Sequence, residues 1–269
     1  MISNLTIALM VFTAIFSIAL PVVLLILFKK RHNTIIQPFF MGAITYVVFA
    51  IFLQSYPNQI FLNMAAETGH KIMTTPAYYA LYIALTTGIL EELGRFFCMA
   101  ILMKNIRREE SVVYGLGHAA VEALIGGTWA MFQNVTIAVA LNRFGSIEAY
   151  ASQAATPEQA ESISTMLTDF ANTSSGSYLV ANVERISFLL LQVSLSILIY
   201  KAIYCKKHML IPIAMVLHGA ALFLCNYYQK APFTNIYILE LILLVYAVLV
   251  AFFAYKQYQS MKQLSSDNA

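Results

Sequence analysis

Charged side chains are scarce in this chain. Asp, Glu, Lys and Arg make up 11% of its 269 residues, where a soluble domain carries roughly a quarter; 60% of the residues are hydrophobic and the mean hydropathy is +0.72. Too few polar groups exist to cover a water-soluble enzyme, so the composition is that of an integral membrane protein. Cysteine is scarce as well. Cys98, Cys205 and Cys225 lie in or at the end of apolar runs with no CxxC or metal-type spacing, which argues against disulfides and a cysteine-based zinc site. Nor does one sign of charge dominate: sixteen Lys and Arg against thirteen Asp and Glu leave a small, scattered positive balance that does not suit nucleic acid.

What the chain has is long apolar runs. A hydrocarbon core of roughly 30 Å takes about 20 helical residues to cross, and seven runs meet that length, near 4–28, 35–55, 77–103, 111–140, 178–204, 209–229 and 234–255. The expected fold is all-α: a polytopic transmembrane helix bundle of about seven spans, forming a single integral membrane domain over 1–269. The first run has no basic residue before it and no small-residue cleavage site, so it reads as a retained span. The fourth holds Gly126 and Gly127 and is expected to kink, tilt or break there.

Basic residues in short loops set orientation. Lys29, Lys30 and Arg31, then Lys104, Arg107 and Arg108, then Lys206 and Lys207, then Lys256 and Lys262 all fall on one side of such a bundle. Lys71, Arg143 and Lys230 fall on the other. The chain is expected in the cell membrane with its N-terminus outside and its C-terminus in the cytoplasm. Two outer segments are longer, 56–76 and 141–177. The second is rich in Ser, Thr, Ala and acids and reads as a solvated loop with a short amphipathic helix around 156–170.

An ionisable group inside a span costs about 2.5–3.5 kcal/mol even on lenient scales, so each needs a partner, a water-filled cavity or a function. Counting about 1.5 Å per residue from the side of the basic clusters, Glu91, Glu92, Glu122 and His218 lie roughly 14–17 Å deep, with Arg95 and His118 at about 10 Å. These six can meet in one layer. Glu184, Arg185 and Glu240 form a separate outer layer, where they could link the fifth and seventh spans. Arg95 stands i,i+4 from Glu91 and i,i+3 from Glu92 and can pair with either. His118 and Glu122 are i,i+4; their face continues through Gly126, Trp129 and Gln133, a stripe expected to meet protein and not lipid.

Carboxylates, imidazoles and a guanidinium in a dry layer supply the parts for hydrolysis. One of Glu91 and Glu92 could activate water, with His118 and His218 as acid and oxyanion donors and Arg95 and Glu122 orienting them. Alternatively His118, Glu122 and His218 could form a zinc set, with Glu91 or Glu92 as base. The residues alone leave both open, beside a non-enzymatic reading in which the charged layer belongs to a transporter or a peptide-binding immunity protein. Against transport stands the single Gly-interrupted span.

The order EELGRFF (91–97), GLGHAAVEALIGG (115–127), VERISFLLLQVSLS (183–196) and VLHGA (216–220), with LPVVLLILFKKR at 20–31, resembles the YhfC family of bacterial membrane proteins. That family is similar to the intramembrane proteases of the CAAX-processing and bacteriocin-immunity group and to the PrsW type. The resemblance implies a glutamate-dependent intramembrane peptidase with Glu91, Glu92, Arg95, His118, Glu122 and His218 as catalytic set and Glu184 and Arg185 as auxiliary residues. The implied substrate is a membrane-embedded or membrane-adjacent peptide or protein. The favoured mechanism needs no metal, and zinc is the alternative cofactor. The late histidine departs from the HxxxD or HxxxN of the broader group, since Leu222 stands four residues after His218 and Asn226 a further turn on.

Overall fold

The computed structural model describes residues 1–64, 66–231 and 235–266, with side chains for all of these but 64, 66 and 262–266. Every regular element among them is helical. In chain order these are α1 (Asn4–His32), α2 (Gln37–Asn63), α3 (Ala66–Thr74), α4 (Pro76–Phe97), α5 (Arg108–Phe144), α6 (Ile147–Ala151), α7 (Pro157–Asn172), α8 (Ser175–Tyr204), α9 (Leu210–Lys230) and α10 (Ile236–Ser266). Local chemistry sets several ends. Ser3, Thr156 and Ser174 cap α1, α7 and α8 by accepting the amides of Thr6, Gln159 and Ser177. Pro76 and Pro157 sit in first turns, where a missing N–H costs nothing.

Six of these helices, α1, α2, α5, α8, α9 and α10, are long and apolar enough to cross a membrane. The protein is a polytopic helical membrane bundle. The expected seventh span, α4 with its wider π-helical continuation Cys98–Leu102, is long enough but is not among the six; it carries Glu91, Glu92 and Arg95. In the segment 56–76, α2 runs through Asn63 and α3 covers Ala66–Thr74. Within 141–177 the amphipathic helix is present as α7, preceded by α6.

α8 is the central helix. Of its apolar window 78% is buried, against 17–28% in the other five candidate spans, so α8 is walled by protein while its neighbours keep broad faces for lipid. It packs on α10, α5 and α1, while α4 lies along α9 and α2 along α5. Glycines bring two of these pairs to backbone contact. A β-carbon at Gly88 would stand 3.2 Å from the amide nitrogen of Gly219, and one at Gly117 would collide with the carbonyl of Phe39. Gly219 follows His218 and Gly117 precedes His118, so the closest approaches of α9 to α4 and of α5 to α2 fall where the two histidines stand.

Candidate functional site

Each adjacent glutamate takes one histidine. His118 Nε2 lies 2.8 Å from Glu91 Oε2, and His218 Nδ1 lies 2.9 Å from Glu92 Oε1. Successive helical residues point about 100° apart, so Glu92 meets His218 of α9, along which α4 lies, while Glu91 reaches His118 of α5. Arg95 joins the two carboxylates, with Nε 3.1 Å from Glu92 Oε1 and Nη2 3.7 Å from Glu91 Oε2. All five side chains are buried.

The guanidinium is tied to the central helix. Arg95 Nη1 donates to the Gln192 carbonyl at 2.9 Å and to Ser196 Oγ at 2.8 Å, and Nη2 donates to Gln192 Oε1. The amide of Gln192 then donates to Glu122 Oε2 at 2.6 Å. Gln192 thereby connects the Arg95 end of the cluster to Glu122, which is half-buried. The ring of Tyr46 stands edge-on to His118 with centroids 5.1 Å apart.

The six inner residues thus gather in one layer. The zinc set read from sequence does not form as His118, Glu122 and His218: Glu122 is bonded to Gln192, and Glu91 stands between the imidazoles, its Oε2 3.9 Å from His218 Nε2. The stripe beyond Glu122 also departs from expectation. α5 opens into a π-helical turn over Leu124–Trp129, whose extra residue rotates the face. Gly126 is exposed, with only the end of the Arg185 side chain near it (Nη1 3.0 Å from its β-carbon position), Trp129 is 55% exposed and Gln133 is exposed too.

The outer layer is assembled differently. Arg185 Nη2 pairs with Glu184 Oε1 at 2.5 Å on α8 itself. Glu240 on α10 is buried with neither carboxylate oxygen hydrogen-bonded, so no direct bond links the two helices there. Gln192, Ser196 and Tyr46 escaped the sequence reading. Gln192 and Ser196 stand i,i+4 in an apolar run, a signal that could have found them; Tyr46 gives none.

No three His, Cys, Asp or Glu side chains among the described residues stand ready-made around a metal position. The donor chemistry nonetheless fits zinc. Two imidazole nitrogens converge on one carboxylate oxygen, at 2.8 and 3.9 Å. With Nδ1 donating to Glu92, the neutral ring of His218 presents a lone pair at Nε2, a buried atom with no hydrogen-bond partner. A carboxylate holding the far nitrogen is how proteins fix metal-binding histidines. In this arrangement the donors bond to one another, and Glu91 would have to release His118 to share an ion with it.

The sequence model of the YhfC family, described as an intramembrane metalloprotease, matches residues 16–243. The chain is also similar to the uncharacterised membrane protein YhfC of Bacillus subtilis (strain 168), 26% identical over 243 residues that cover 88% of this chain and 90% of that one. No solved structure matches.

Proposed function

This chain belongs to the YhfC family, and on that footing we propose that it is an intramembrane endopeptidase acting on a peptide bond in or beside the bilayer. The observation that carries the reading is the convergence of Glu91, His118 and His218 in a buried layer braced by Arg95. The proposed kinship with CAAX-processing and PrsW-type proteases rests on the motif order alone.

Glu91, His118 and His218 are the residues that would hold zinc. The ion, when bound, supplies a Lewis acid and a water acidic enough to ionise near neutral pH. The chain supplies the rest. Arg95 holds the Glu92 carboxylate in place, and Glu92 fixes the tautomer and angle of His218. Gln192 occupies one oxygen of Glu122, leaving the other to take a proton from the attacking water and pass it to the leaving amine. The metal-free reading, with Glu91 as base and His118 as its partner, keeps one observation in its favour, their 2.8 Å contact. Metal analysis separates the two: about one ion per chain, with activity lost to a chelator and restored by zinc, supports the first.

The proposed substrate is a membrane-embedded or membrane-adjacent peptide or protein. The proposed orientation has α4 as a seventh span, the N-terminus outside and the C-terminus cytoplasmic, supported by the basic residues at the His32, Arg108 and Tyr204 ends of the helices and by Lys256 in the C-terminal third of α10. Lys262 lies outside the residues whose side chains are described. The deciding experiment compares peptide termini in membranes expressing the wild type or Glu91→Gln at matched levels. Termini in or beside membrane segments that appear only with wild type support the protease; identical termini overturn it in favour of a binding or transport role.

A further inference from the structure

The turn from α8 to α9 builds a second polar site. Lys201 lies nine residues beyond Gln192, about 13 Å along α8, and with Lys206, Lys207, His208, Met209 and Gln257 it lines a cavity of about 550 Å³ with no acidic residue among the described residues of its lining. The turn is strained. After Cys205, Lys206 adopts φ 55°, the left-handed position where helices usually place glycine or asparagine. That conformation sets three basic residues in succession at the mouth.

Among the described residues the charge there is hydrogen-bonded but not neutralised. Lys201 is 7% exposed, and its ammonium donates to Gln257 Oε1 at 2.6 Å, Ser260 Oγ at 2.6 Å and the Gln257 carbonyl at 3.4 Å. All three acceptors are neutral. The first turn of α9 starts at the same place, where the amides of Leu210 and Ile211 bond back to Lys207 and His208, so the positive pole of a 21-residue helix adds to three ammonium groups. Like charges held together favour an entering anion. Beside them Met209 is 73% exposed, a large apolar side chain at the rim of a membrane helix. A ligand that satisfies both features is anionic at one end and apolar at the other.

We propose that this cavity binds the headgroup of an anionic glycerophospholipid, with Lys201, Lys206 and Lys207 around the phosphodiester and Met209 against the start of the acyl chain. Basic pockets between helix ends are suited to such headgroups. The site does not depend on the protease reading.

The test uses the full chain in non-ionic detergent, native mass spectrometry, and three probes: dioleoyl phosphatidylglycerol, dioleoyl phosphatidylcholine and inorganic phosphate. The variant combines Lys206→Asn, which suits the left-handed turn, with Lys207→Gln. The wild type is expected to retain phosphatidylglycerol over phosphatidylcholine, and the variant to bind phosphatidylglycerol roughly tenfold more weakly with an unchanged unfolding midpoint. Should the double variant unfold early, Lys207→Gln alone, which leaves the turn untouched, is expected to weaken retention in the same direction. Equal retention of the two lipids, or of phosphatidylglycerol by wild type and variant, overturns the proposal. Inorganic phosphate binding as tightly as the lipid overturns the lipid as ligand.

Discussion

His218 Nδ1 lies 2.9 Å from Glu92 Oε1, and that same oxygen is held by Arg95 Nε at 3.1 Å. The contact removes one ring nitrogen of His218 from any reaction and aims the other at Glu91. On the proposed reading Glu92 is a positioning residue, while its neighbour Glu91 lies within 3.9 Å of both histidines.

The first prediction separates the two glutamates. Glu91→Gln is expected to leave the bundle folded and reduce cleavage by about 10²-fold or more, through loss of a zinc ligand in the zinc reading or of the base in the metal-free one. Counting cleaved termini in membranes checks it, with an unfolding midpoint near wild type as the control.

Glu92→Gln is expected to act through His218. Loss of an orienting carboxylate behind a metal-binding histidine costs about 10–100-fold in metal affinity or activity. Zinc per chain, measured after dialysis against a graded chelator series, should fall together with activity; full occupancy with unchanged activity would sink the assignment.

Gln192→Leu removes the acceptor of Arg95 Nη2 and the donor to Glu122. Each buried polar group left without its partner costs about 1–3 kcal/mol, so the variant should unfold earlier in detergent. Leu190→Ala, on the same helix away from these bonds, provides the packing comparison.

Gly117→Ala drives a β-carbon into the Phe39 carbonyl, whereas Gly126→Ala meets only the far end of the flexible Arg185 side chain. Overpacking against backbone costs about 1–3 kcal/mol. The first variant should therefore lower stability clearly more than the second, as read by thermal unfolding in the same detergent.

The inner layer was legible because charges within apolar runs are costly enough to announce themselves. Glu91, Glu92, Arg95, His118, Glu122 and His218 stand out in that way, and helical rise put them at compatible depths. Their pairing was not legible. Whether Glu91 meets His118 or His218 depends on the rotation of α4 against α9, set by contacts such as Gly88 on Gly219 that no spacing within one helix encodes. Gln192 escaped because a neutral amide costs less to bury than a charge. The face through Trp129 and Gln133 was misread because a strict 3.6-residue period was carried across Leu124–Trp129, where the helix widens.

The bracing of Arg95 bears on how the chain is made. α4 holds two carboxylates and a guanidinium, yet the carbonyl, amide and hydroxyl that receive the guanidinium belong to Gln192 and Ser196 on α8, about a hundred residues later in synthesis. A nascent chain that ends before Ser175 therefore offers α4 no such acceptors, and entry of a helix so charged into lipid is unfavourable until they arrive. Ribosome-stalled chains of increasing length, probed with a glycosylation tag ahead of Pro76, should show α4 settling in the bilayer only once α8 has emerged.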